Sequence, residues 1–293
     1  MIIFTKPKVE EYIPKPGLSG AYKAIEFAGR ICTGTTPKLD SDGKEFTQRM
    51  IDSVPMHGRP LEFGSIYLLI NDVNIVDRYK NNPYSRVNVF ENDTNFYITT
   101  TMRVIAENNW YSDLDYSVSQ EDHPGKFILR KYLLWDISRG IADEFRTHCS
   151  ISTLMQSTRY CNYTRPRFGS CLKITTPTWL INQWQTEFAT EFPEEALADY
   201  IKTSGTININ IKEYLDSLIN SEIHYNQLIT NGMKPEYARG VLPLDTRTIL
   251  FQCGYENDWE HFFFLRIGNG AHPDATYIAT KANDILKLRK DIL

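Results

Sequence analysis

Residues 144–168 read EFRTHCSISTLMQSTRYCNYTRPRF. The stretch holds four arginines, one histidine and seven serines or threonines, just past a segment with helical periodicity. Ile137, Ile141, Phe145 and His148 recur at three- and four-residue spacing, which predicts a helix from about Asp136 toward Cys149 with His148 on its inward face. Beyond it, Ser150, Ser152, Thr153 and the run Ser157-Thr158-Arg159-Tyr160 bring small hydroxyl residues that let backbone approach a ligand. Arg159 adds a planar fork for two phosphate oxygens. This is one way to hold a nucleotide monophosphate. The same residues also describe a polar helix end followed by a surface loop with ordinary arginines, and composition alone does not separate the two.

Three further blocks stand in order along the chain. His57-Gly-Arg-Pro-Leu-Glu62 lies upstream; Pro235-Glu-Tyr-Ala-Arg239-Gly-Val-Leu-Pro243 and His261-Phe-Phe-Phe-Leu-Arg266 lie downstream. With His148, Ser152 and Ser157-x-Arg159-Tyr160, the central block resembles the signature of flavin-dependent thymidylate synthases: Arg-His-Arg, two residues, Ser, then Ser-x-Arg-Tyr. The upstream block is similar to that family's His-x-x-x-Phe/Leu-Glu-His segment, and the other two resemble its later blocks. Four blocks in one order make the resemblance specific where one alone would be weak.

The resemblance implies an α+β fold like that of thymidylate synthase-complementing proteins, with a mixed or antiparallel sheet flanked by long helices. It implies one domain over residues 1–293, with an insertion around 71–126. The implied reaction is reductive methylation of dUMP to dTMP, with carbon from methylenetetrahydrofolate and hydride carried by FAD after reduction by NADPH. Arg266 matches the arginine that faces the uracil and favours its ionised N3 form, the catalytic role. Ser157, Arg159, Arg239 and Glu144 match dUMP-binding positions. His148, Thr147, Cys149, His261, Asn257 and Phe63 fall at or near flavin positions. The family builds each site from several subunits, which implies a homotetramer.

The chain departs from the pattern on the flavin side. Thr147-His148-Cys149 stands where the family has Arg-His-Arg, so two cations are replaced by groups that bond weakly. Phe63 stands in place of a histidine, Asn257 in place of a common arginine, and Leu154-Met155 in place of a polar pair. Altered flavin binding is the expectation, with Arg146, Arg165 or Arg167 as compensating cations. Two other readings stand beside the first: a flavoenzyme delivering another one-carbon group, such as hydroxymethyl, to a pyrimidine nucleotide, and a silent homologue that only binds nucleotide.

Composition bounds these readings. The 293 residues are 42% hydrophobic, ample for a sizeable core, and the net charge of −4 with a pI near 5.9 argues against a duplex nucleic-acid binder. No apolar run approaches the roughly 18 to 20 residues that cross a bilayer, and MIIFTKPKVEEY has no signal core, so a cytoplasmic protein is expected. Five scattered cysteines form no C-x-x-C pair, so neither disulfides nor a metal site is expected.

In chain order, the first fifteen residues read as peripheral. Phe46, Met50, Ile51 and Val54 predict a helix that delivers His57. Residues 61–70 and 95–107 read as strands, 71–94 as a loop or hairpin, and 110–126 as an acidic surface insertion. Residues 127–135 read as strand or first helical turns, and 175–205 as connecting helix and loop. Helices are expected over 209–229, from Pro235, over 259–266, and from Pro273 to a solvated basic end.

Overall fold

The computed structural model describes residues 2–35, 42–89, 94–120, 129–188, 208–268 and 270–287. The strands among them are β1 (Ile2–Thr5), β2 (Lys8–Glu11), β3 (Ser65–Ile70), β4 (Arg86–Asn88), β5 (Phe96–Thr101), β6 (Arg130–Ser138), β7 (Ser152–Met155), β8 (Leu172–Thr175) and β9 (Arg247–Tyr255). β6 and β9 pair antiparallel from Arg130↔Tyr255 to Ser138↔Arg247. β2 joins the free edge of β6 and β7 that of β9, giving the order β2-β6-β9-β7. β3 and β4 flank β5 in a second antiparallel sheet, while β1 and β8 form a parallel pair. With the helices around them, this is the α+β architecture expected.

Both faces of the central sheet are buried, and strand alternation sorts its side chains between them. Leu133, Trp135, Ile137 and Leu250 face Trp259, Phe262 and Phe263 of the Glu256–Ile267 helix and Ile278 of the Pro273–Leu286 helix. Tyr132, Phe251 and Cys253 face Ala24 and Ala28 of the Gly17–Thr33 helix. That helix ends at Gly34, whose left-handed φ of 63° a side chain would strain.

Several expectations give way to tertiary context. The first fifteen residues are not peripheral: they supply β1 and β2, and Ile2 and Phe4 are buried beside Leu180, Trp184 and Leu215. The strand expected over 61–70 starts at Ser65, because Gly58–Leu61 forms a helical turn. The one expected over 95–107 ends at Thr101, whose hydroxyl accepts from the Val104 N–H at 3.3 Å and opens a Met102–Asn108 helix. The expected loop 71–94 contains a Val73–Lys80 helix, capped by Asp72, and β4.

The described part of the acidic 110–126 segment includes a 3-10 helix, Tyr111–Tyr116, whose Asp113 is buried against Arg78 and Tyr79, while 121–126 lie outside the described residues. The helix expected from Asp136 to Cys149 is Arg139–Phe145, since Asp136 and Ile137 close β6. The Phe46 helix, Lys44–Asp52, ends before the exposed Val54 and before His57. Helices Thr178–Phe188, Ile209–Thr230, Pro235–Ala238 and Pro273–Leu286 stand where expected; residues 189–207 and the basic end at 288–293 lie outside the described residues. Among the described residues, no helix is long and apolar enough to cross a membrane.

Candidate functional site

Arg266 organises the first cluster. It lies in the last turn of the Glu256–Ile267 helix and reaches across to the end of the Arg139–Phe145 helix, which Ser138 caps by accepting from the Ile141 N–H at 3.3 Å. Its Nη1 donates to Glu144 Oε2 at 3.0 Å, its Nη2 to the Glu144 carbonyl at 2.8 Å and to Thr147 Oγ1 at 3.3 Å. The guanidinium thus satisfies a terminal carbonyl and sits at the negative end of the helix dipole. Its Nε donates to His148 Nε2 at 2.9 Å, which places the imidazole proton on Nδ1 by hydrogen-bond geometry. Burial first, then the charge of Arg266 and the neighbouring His261, lower the His148 pKa to about 4. The ring is neutral at pH 7 and packs 4.7 Å from Phe262.

The second cluster follows β7. The Ser157 N–H donates to the Cys32 carbonyl at 2.9 Å, so the end of the Gly17–Thr33 helix pins the loop, and Ser157 Oγ accepts from the Arg159 N–H at 3.3 Å. Arg159 projects into solvent toward Glu236, at 3.6 Å. Arg239 follows the Pro235–Ala238 helix and donates from Nη1 to Thr158 Oγ1 at 3.3 Å. A cavity of about 480 Å³ opens here, with Arg139, Arg146, Arg239 and Thr158 on its walls and Asp143 as its acid.

A third region, a cavity of about 410 Å³, joins the first two sequence blocks. Arg59 and Glu62 line one side and Cys149, Ser150 and Ser152 another. Of the expected flavin positions, Cys149 reaches this cavity. Thr147 and His148 are engaged with Arg266, and His261 and Asn257 are exposed on the Glu256–Ile267 helix. Phe63 departs from expectation: it is fully buried, stacked on Phe251 at a centroid distance of 4.9 Å, so its ring is spent in the core. None of the expected compensating cations lines this cavity, and Arg146 lies on the 480 Å³ one. Arg146 pairs with Asp143 at 2.9 Å, Arg167 lies over Phe168, and Arg165 is exposed in the same turn.

The cations on the two cavities are partly ones that sequence reasoning missed. Arg139 opens a helix, Arg86 lies in a short strand, Arg103 in a short helix and Arg130 at the start of β6. None belongs to a spaced motif, and a lone arginine at such places is most often a solvated charge; only the tertiary fold gathers them.

Known proteins share parts of this chain. A stretch of 61 residues is 34% identical to the probable flavin-dependent thymidylate synthase of Paramecium bursaria Chlorella virus 1; it covers 21% of this chain and only 28% of that protein. Among solved structures, the UMP/dUMP methylase PolB from Streptomyces cacaoi, bound with 5-Br UMP or 5-Br dUMP, aligns over 98% of this chain and 92% or 93% of its own. The identity is 14% and the TM-score 0.43. Residues 128–289, more than half of the chain, match the model of the thymidylate synthase complementing protein family, to which this chain belongs.

Proposed function

We propose that the protein is a methyltransferase that converts dUMP to dTMP by FAD-dependent reductive methylation, with methylenetetrahydrofolate as carbon donor and NADPH as reductant. The observation that carries this reading is the convergence of Arg139, Arg146, Arg239 and Thr158 on one cavity beside the Ser157–Tyr160 loop. A nucleotide phosphate there meets planar forks and a hydroxyl, and Arg159 can leave Glu236 for it because that pair is long and solvated.

Bound flavin supplies the hydride. The 410 Å³ cavity, with its hydroxyls, tyrosine rings and arginines, suits an anionic dinucleotide. The chain's own part is charge and position. Arg266 is a cation suited to stabilising an ionised uracil N3, but the Glu144 carboxylate at 3.0 Å offsets its charge, so Glu144 has to share or release the guanidinium when nucleotide enters.

Assembly as a homotetramer in the cytoplasm is part of the same reading. It is supported by exposed Phe264 and Leu265 beside Arg266 and exposed Tyr160 beside the second cluster, apolar groups that a second copy would cover. We read the chain as one domain, with 71–126 as an insertion that brings Arg86 and Arg103 to the cavity.

Visible absorbance after incubation with FAD and removal of the excess tests the reading. A retained flavin band that bleaches anaerobically with NADPH is expected, followed by a product with the mass of dTMP from dUMP and methylenetetrahydrofolate. A hydroxymethylated product would replace the methyl reading. Bound dUMP with no flavin retained would leave a silent nucleotide-binding homologue.

A further inference from the structure

The 410 Å³ cavity contains a charge that its protein partners do not balance. Arg130 is only 8% exposed. Its Nη1 donates to the Glu62 carbonyl at 2.6 Å and to Ser65 Oγ at 3.1 Å, and its Nη2 to Ser152 Oγ at 2.9 Å and to the Cys253 carbonyl at 3.4 Å. The Tyr255 ring lies 5.8 Å from the guanidinium carbon. Every one of these groups is neutral, and none of the ion pairs among the described residues includes Arg130. Burial pushes the Tyr67 phenol up to about 12 and the Cys253 thiol up to about 11, so neither supplies an anion at pH 7. A buried guanidinium held only by dipoles carries a desolvation cost that an anion would offset.

Three more arginines line the same cavity. Arg103 bridges Glu62 and Glu107, Arg59 pairs with Glu62 at 3.1 Å, and Arg86 lies over Tyr255 at 4.8 Å with Asp258 at 3.9 Å. Four guanidiniums against three carboxylates leave one positive charge in excess, and Arg86 and Arg103 keep about half of their side-chain surface or somewhat less exposed. Ser150 and Ser152 add hydroxyl donors, and Tyr84 on the same wall is 71% exposed, a free ring face at the mouth.

We infer that this cavity grips the diphosphate of a dinucleotide through Arg86 and Arg103, with the charge of Arg130 behind them, cations from outside the motif blocks that replace the charge missing at Thr147 and Cys149. Arg130 stays fixed: its four Nη protons are already donated, so it adds buried positive charge rather than a fork. Arg86 turns from its long contact with Asp258, and Arg103 offers the Nη2 that neither Glu62 nor Glu107 takes, because a diphosphate accepts from two guanidiniums at once. Tyr84 offers the adenine a stacking face. The inference rests on the proposed function where the dinucleotide is FAD; NADPH has the same diphosphate chemistry.

The test is titration of the full-length protein with FAD, NADP⁺ and ADP by calorimetry, with dUMP as a separate control. The variants are Arg86→Gln, Arg103→Gln and the pair, which leave the buried Arg130 intact so that the chain folds. Tenfold or greater weakening of FAD and ADP by the paired variant, with dUMP affinity unchanged, is expected, and Arg86→Lys should recover part of the loss. If NADP⁺ and ADP bind and FAD does not, the diphosphate site stands while the flavin reading fails. If FAD binds wild type and the paired variant within twofold, the flavin reading stands and these arginines are not its diphosphate site. If FAD, NADP⁺ and ADP all fail to bind a wild-type protein that binds dUMP, the inference is overturned.

Discussion

Arg266 stands between a carboxylate and a neutral imidazole, and each neighbour predicts a different experiment. Glu144 holds a negative charge 3.0 Å from the guanidinium that is proposed to face an anionic nucleotide. Glu144→Gln keeps the shape and the backbone acceptor while removing that charge, so dUMP affinity should rise by about three- to tenfold in a binding titration; unchanged affinity would place the nucleotide away from Arg266. His148 makes a pH-dependent contribution. Its pKa is lowered from 6.5 to about 4, so the unfolded chain binds the extra proton first and the native state loses stability as pH falls through that window. The contribution is fully present above 6.5, and its steepest slope is about 1.4 kcal/mol per pH unit. Comparing melting temperatures of wild type and His148→Gln between pH 7 and pH 4.5 should show a shallower fall in the variant; parallel curves would assign the acid sensitivity to another group. The spacing of motif residues made Glu144, His148 and Arg266 legible in sequence. Arg130 was not, because its cage is drawn from residues 62, 65, 152 and 253, which no local window contains.

At the scale of elements, the sequence misleads where a strand hands over directly to a helix. Ile137, Ile141, Phe145 and His148 fit helical spacing, yet Ile137 belongs to β6, and the handover falls at Ser138. β6 is buried on both faces, so its apolar residues run on without the alternation that marks a half-exposed strand. The same ambiguity extends the β5 reading past Thr101, where Met102 and Val104 happen to continue the two-residue period. In both cases the hydroxyl cap is the deciding feature. Ser138→Ala leaves the Ile141 N–H without its side-chain acceptor in a buried setting and should destabilise the protein by about 1 kcal/mol. A fall of about 2 °C in melting temperature is the expected readout, together with weaker dUMP binding, since this helix positions Arg139 and Arg146 on the proposed phosphate cavity. A melting temperature equal to wild type would mean that β6 and packing alone set the boundary.

For the whole molecule, a net charge of −4 argued against a dedicated duplex binder but concealed two arginine-lined cavities, because a few arginines are gathered into concave sites. The Ile209–Thr230 and Pro273–Leu286 helices were legible from periodicity and start signals, whereas Gly17–Thr33, with no side-chain cap at Pro16, was not read as a helix, and strands of four residues, β1 and β2 among them, carry too few positions to show a period. The surface raises one further question of scale. Single exposed apolar residues are ordinary, but Phe264 at 60% and Leu265 at 46% adjoin on one helical turn, and Tyr277 at 38% lies on the neighbouring helix. Burial of each of the first two side chains against another copy would stabilise an assembly by roughly 1.5–3 kcal/mol if complete. Both residues precede Arg266 in the same helical turn, so assembly and the nucleotide site should be coupled. Phe264→Glu with Leu265→Glu places two charges on that surface without touching the buried Phe262 and Phe263. Light scattering should then report a lower mass than wild type, and dUMP should bind more weakly while the melting transition stays cooperative. An unchanged mass with unchanged dUMP affinity would free this face from any role in assembly and leave each chain to complete its site alone.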